Sequence, residues 1–194
     1  MAVALKRGQK FSLSTAYPGL SQLVIGLGWD AKKPVTGLFS TAQPFDCDAA
    51  AIALSNGKLQ RKSDMVYYGN LCHPSGAILH AGDNITGAGD GDDEQIILDF
   101  DKLPPHLNSI VLVVNIYEAA IRHQHFGSIE NAYIRIFNKT NNREILKYNL
   151  TDNYANLNAI IVGELYKEDD EWRFKAVGVG TSELTLTSLS KKYT

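Results

Sequence analysis

Apolar residues recur along the chain in short runs separated by glycine, asparagine, aspartate and proline, with little of the three-to-four spacing that marks long amphipathic helices. Ten runs read as strands: Gln22 to Trp29 (QLVIGLGW), Cys47 to Leu54, Met65 to Tyr68, Ala77 to His80, Gln95 to Leu103, Ser109 to Tyr117, Ala132 to Phe137, Glu144 to Leu150, Ala159 to Tyr166 and Glu171 to Val179. Ser55-Asn56-Gly57-Lys58 suits a tight hairpin, Asn138 to Asn142 a loop, and Lys167 to Asp170 a polar break. Alternation puts Trp172, Phe174 and Ala176 on one face of the last strand. Helix is scarce: Glu118 to His125 can form two turns, and Leu103-Pro104-Pro105-His106 reads as a turn or short 3₁₀ segment. The expected fold is all-β, a sandwich or barrel of about ten short, mostly antiparallel strands with one or two short helices.

The chain has 194 residues, 44% of them hydrophobic, enough for the core of one domain spanning 1–194, and no linker interrupts it. A net charge of -2 argues against nucleic acid bound over a broad basic face. MAVALKRGQK lacks the apolar stretch of a signal peptide, and no run approaches the roughly 18 apolar residues of a membrane span, so the expectation is a cytoplasmic protein. In a reducing compartment Cys47 and Cys72 are expected as free thiols.

Charge is nevertheless unevenly placed. GDNITGAGDGDDEQ, from Gly82 to Gln95, holds Asp83, Asp90, Asp92, Asp93 and Glu94 without a lysine or arginine. Like charges about 6 Å apart repel by roughly 3 kcal/mol at an effective dielectric near 20, so such crowding calls for solvent screening, a protein partner or a metal. Asp83 and Glu94 have the separation of the first and last ligands of an EF-hand loop, but Ile85, Gly87 and Ala88 occupy its interior ligand and turn positions, and strands flank it. The glycine spacing also breaks the phosphate-binding GxGxxG pattern, and its acids would repel phosphate. A solvated surface loop and a cation site both stay open for this segment alone. Asp46 and Asp48 stand at i and i+2 on one face at the start of a strand, and Asp30 ends the strand before it, which favours metal. One cluster requires a connection that crosses between sheets, expected at Lys58 to Asp64; otherwise the acids form two sites.

The motifs LVIGLGWD, FDCDAAAIAL, GDNITGAGDGDDEQIILDF, IYEAAIRHQHFGSIENAYIRIFN and GELYKEDDEWRFKAVGVG resemble, in that order, those of the TerD family of bacterial tellurite-resistance and stress-response proteins, over about Val3 to Gly180. The resemblance implies a cytoplasmic, calcium-binding β-sandwich. It carries over Asp30, Asp46, Asp48, Asp83, Asp90, Asp92, Asp93 and Glu94 as calcium ligands, with Asn84 as a neutral oxygen donor and two ions expected. TSELTLTSLSKKYT departs from the family's glycine- and alanine-rich close, so residues 181–194 are expected to diverge.

The function expected is that of a non-enzymatic calcium-binding stress protein associated with tellurium oxyanion resistance, assembling with other stress-response proteins, some of its own family. A calcium-dependent membrane-surface adaptor is the second reading and a divalent-metal-dependent hydrolase the third. Zinc at His80, His123 and His125 matches no usual tetrahedral spacing, and no G-x-S-x-G elbow is present. Cys47, between two aspartates, is expected to be a poor nucleophile.

Overall fold

Two of the predicted runs, CDAAAIAL and SIVLVVNI, show no alternation because both of their faces are covered: every residue of strands Cys47–Leu54 and Ser109–Ile116 is buried. The computed structural model describes residues 2–31, 45–81 and 91–194. Twelve strands are described: β1 Val3–Leu5, β2 Lys10–Ser12, β3 Gln22–Ala31, β4 Cys47–Leu54, β5 Met65–Val66, β6 Ile78–His80, β7 Glu94–Asp99, β8 Ser109–Ile116, β9 Ile129–Asn138, β10 Arg143–Asn149, β11 Ala159–Glu168 and β12 Glu171–Thr181. The first sheet has the order β1-β10-β9-β3-β7-β6 and the second β2-β12-β11-β8-β4-β5. Only β1 and β10 pair in parallel among the described strands; the rest are antiparallel. The fold is therefore the expected all-β sandwich.

Inner-face residues of the two sheets form one core. Leu23, Ile25 and Leu27 of β3, Ile96 and Leu98 of β7 and Ile134 and Ile136 of β9 pack in the same cluster as Ala49, Ala51 and Ala53 of β4, Leu112 and Val114 of β8, and Phe174 of β12. A second cluster lies on the outer face of the second sheet, where Ala50, Ile52, Leu54, Met65, Val111 and Val113 meet Leu189 of the C-terminal helix Leu186–Ser190. That helix starts at Thr185, whose hydroxyl accepts the Ser188 N–H at 3.1 Å.

Several expectations are corrected. The crossing between sheets is not at Lys58 to Asp64. Those residues join β4 to β5 within one sheet, where Ala51 pairs with Val66 and Ile52 with Met65. A 3₁₀ turn at Lys62–Asp64 turns the chain back, its Asp64 carboxylate accepting the Arg61 N–H at 3.1 Å. The chain crosses instead in residues 67–77, between β5 and β6. Buried His73 anchors this crossing, with Nε2 3.3 Å from Asp64 Oδ1 and Nδ1 2.8 Å from the Ser75 hydroxyl. The helix expected over Glu118 to His125 is a single turn, Ala119–Arg122, because Glu118 and His123 at its two ends are left-handed, with φ of 50° and 52°. The strand expected to reach Leu103 stops at Asp99, whose carboxylate accepts the Asp101 N–H at 3.1 Å and starts a 3₁₀ turn.

Candidate metal centre

Strand direction brings the acids together. β3 and β7 are antiparallel with Leu27 opposite Glu94, so the end of β3 and the start of β7 lie at the same end of the first sheet. β4 begins at Cys47 in the facing sheet, and the buried Glu94 carboxylate accepts the Ala49 N–H, which ties β7 to β4 at that same end. Asp30, Asp46, Asp48, Asp92, Asp93 and Glu94 thus converge on one end of the sandwich from both sheets. Asp83, Asn84 and Asp90 lie outside the described residues.

The six differ in what they touch. Asp30 is exposed and accepts the Asn131 amide at 2.7 Å. It stands opposite Glu130 in the β3–β9 ladder, a like-charge pair that destabilises unless a cation is near. The Asp93 carboxylate accepts the Trp29 N–H at 2.8 Å. Burial, and then the charges of Asp30 and Asp92, hold the Asp93 carboxyl above its ordinary range, against the opposing effect of the Trp29 hydrogen bond. Asp92 folds back over Gly26, where a Cβ would overlap its carboxylate, and is held by the Arg135 guanidinium at 2.5 Å, the Tyr133 hydroxyl at 3.2 Å and the Gln95 amide at 3.2 Å. Its charge is therefore matched within the protein.

Asp46 and Asp48 are both buried; Arg122 lies 3.3 Å from Asp46, and the Asn115 amide donates to Asp48 at 3.3 Å. Glu94 also faces His80, whose Nε2 is 3.4 Å from its carboxylate. Between these groups lies Cys47, whose thiol is pushed well above its ordinary range by burial and then by Asp48, Glu94, Asp46 and Asp93. That single thiol feels four carboxylates, Asp46 and Asp48 at the entry to β4 and Asp93 and Glu94 at the entry to β7.

Beside Asp30 and Asp93 opens a cavity of about 920 Å³, which Glu130, Asn131, Asn149, Asp152 and Asn153 also line; among the described residues Lys147 is the one basic side chain in its lining. Glu130, Asn131 and Asp152 escape a reading of the sequence because no local pattern links them to Asp30 or Asp93; the β9–β3 register and the segment after β10 bring them in. Arg122 escapes likewise, its meeting with Asp46 spanning 76 positions. All the donors are carboxylate or amide oxygens apart from the buried Cys47 and His80, a set that fits a hard cation rather than zinc or copper. Among the described residues, no group of three or more His, Cys, Asp or Glu side chains is placed to hold one ion. His125 instead caps a turn, its Nδ1 accepting the Gly127 N–H at 3.0 Å.

The profile of the TerD domain matches residues 1–193, through the tail that the motifs alone do not cover. Stress response protein SCP2 of Bacillus subtilis is 44% identical over 100% of this chain and 100% of its own. The tellurium resistance protein TerD of Serratia marcescens is 42% identical over 93% of this chain and 91% of its own. The crystal structure of a homologue of the telluride resistance protein TerD from Streptomyces coelicolor superposes with a TM-score of 0.67 at 20% identity, covering 91% of this chain and 99% of that one. Among the described residues no helix is long and apolar enough to cross a membrane. With the domain profile spanning nearly every residue and full-length relatives above 40% identity, the chain belongs to the TerD domain family of tellurium-resistance and stress-response proteins.

Proposed function

We propose that this protein is a non-enzymatic, cytoplasmic calcium-binding module of a stress response that includes resistance to tellurium oxyanions, and that calcium drives its assembly with other stress proteins. The observation that supports this reading is the crowding of acids around one cavity, which Asp30, Asp93, Glu130 and Asp152 all line. Asp30 opposes Glu130 across a ladder, Asp93 is raised by burial and then by its acidic neighbours, and one lysine stands among the described lining. A hard divalent ion relieves that repulsion, and calcium accepts irregular oxygen donors where magnesium demands an octahedron. In this reading one ion sits at Asp30 and Asp93 and a second near Asp46, Asp48 and Glu94, with the remaining ligands supplied by Asp83, Asn84 and Asp90. Asp92, bound to Arg135, positions the start of β7 rather than serving as a ligand. When bound, calcium would supply charge neutralisation and a rigid link between the two sheet ends, which changes the surface offered to a partner.

Calorimetric titration tests it: two calcium ions per chain and tighter binding of calcium than magnesium are expected. Asp93→Asn and Asp48→Asn remove a charge at nearly constant size and should each weaken calcium binding about tenfold or more, given the few kcal/mol of attraction at contact distance. Equal affinities for calcium and magnesium, or two variants that bind like the parent, would overturn the assignment. Sedimentation of the protein with and without calcium reads the assembly separately.

A further inference from the structure

The C-terminal helix packs on the outer face of the second sheet, against the cluster of Ala50, Ile52, Met65, Val111 and Val113. Between the start of that helix and the single turn Ala119–Arg122 a groove of about 430 Å³ remains, whose lining includes Met65, Tyr67, Tyr68, Tyr117, Glu118 and Ile121. Three tyrosines form its corner. The rings of Tyr67 and Tyr68 are 5.2 Å apart at 84°, and those of Tyr68 and Tyr117 5.8 Å apart at 90°. The corner is built into the backbone: Tyr67 and Asn70 bridge across a turn, and the Asn70 amide donates to the Met65 carbonyl at 2.7 Å. At Gly69 a Cβ would fall 2.7 Å from the Tyr67 ring, so the turn brings that ring against a position with no side chain.

Negative charge lies behind these faces. The phenol of Tyr68 is raised first by burial and then by Asp48, with Asp46 also contributing. Asp48 joins the groove through Asn115, which lines it and donates to the carboxylate. Near Tyr117 a cation already stacks, the Arg122 guanidinium 5.1 Å from the ring centre. The carboxylates themselves are engaged, Asp46 and Glu118 with Arg122 and Asp48 with Asn115. Asp46 and Asp48 thus act from behind the tyrosines while Glu118 pairs with Arg122, a setting that suits a cation carrying methyl groups, which offers no N–H donor.

We propose that the Tyr67–Tyr68–Tyr117 corner is a binding site for a small quaternary ammonium compound, held by the tyrosine faces and the apolar wall of Met65 and Ile121. The groove draws its field from Asp46 and Asp48, which the calcium reading also uses, so the site is that of the calcium-free protein and is tested in a chelating phosphate buffer. The full-length protein is titrated with choline and with tetramethylammonium, and against 3,3-dimethylbutan-1-ol, the uncharged counterpart of choline, while tyrosine ring signals are followed by NMR. Saturable binding of choline that shifts Tyr68 and Tyr117 is expected, with the neutral alcohol at least fivefold weaker. Because Tyr68 is 44% exposed, Tyr68→Ala should fold; it should weaken choline roughly five- to thirtyfold, whereas Tyr68→Phe, which keeps the ring face, binds like the parent. Tyr117→Leu is the second variant, with the same loss expected. Equal binding of the alcohol, no saturation by either cation, or unchanged affinity in Tyr68→Ala and Tyr117→Leu would each overturn the site.

Discussion

Cys47 has no exposed surface and four carboxylates around its thiol, whereas Cys72 lies on the surface with its Sγ 3.2 Å from the His73 carbonyl. Burial denies reagent access and the acids suppress the thiolate, so both terms act against reaction at Cys47. Native protein at pH 8 should therefore take up one equivalent of a thiol reagent, at Cys72, and two once unfolded; mass mapping of the labelled peptides checks this. Prompt native labelling of Cys47 would mean that the acid end opens readily. The sequence already placed aspartates on both sides of Cys47. It did not show that Glu94, 47 positions further on, would act on the same thiol, nor that Arg135 would neutralise Asp92 across 43 positions.

At the scale of elements, the C-terminal helix does for the second sheet what the first sheet does on its other side. Leu189 is fully buried against the cluster that includes Ile52, Val111 and Val113. Leu189→Ala should cost about 2 to 4 kcal/mol of stability, read as a lower urea midpoint at unchanged slope. A change below about 0.5 kcal/mol, the range of ordinary surface substitutions, would mean that the helix is only loosely docked. Most of the strands could be read from the chain because apolar runs bounded by turn residues are a local signal. Asn56-Gly57 is a clear case, with φ of 51° and 76° where a tight hairpin needs left-handed residues. β1 and β2, three residues each, were not legible: VAL and KFS owe their conformation to pairing with β10 and β12. The place of the sheet crossing was equally hidden, since alternation tells which face a residue takes and not which sheet its strand joins.

For the molecule as a whole, acids from both sheets at one end make stability depend on what neutralises them. At free calcium about 100 times the dissociation constant, one site absent from the unfolded chain adds roughly 2.7 kcal/mol. At about 2 to 4 °C per kcal/mol in a chain of this size, the melting midpoint should rise by about 5 to 11 °C over a chelated sample. Sodium chloride at matched ionic strength is the control; superimposable calcium and salt melts would reduce the effect to screening.

Where β5 pairs only Ala51 and Ile52, the β4 edge beyond it is closed by the side chain of Glu94 receiving the Ala49 N–H. A cation that takes the Glu94 oxygen facing Ala49 would loosen its hold on this one amide. Deuterium uptake at Ala49 should then quicken when calcium is added, even as the molecule melts later and its other interior amides slow. One backbone position would report ion occupancy with a sign opposite to that of the fold around it, and an amide that slows with the rest would mean that Glu94 remains a strut between the sheets in both states.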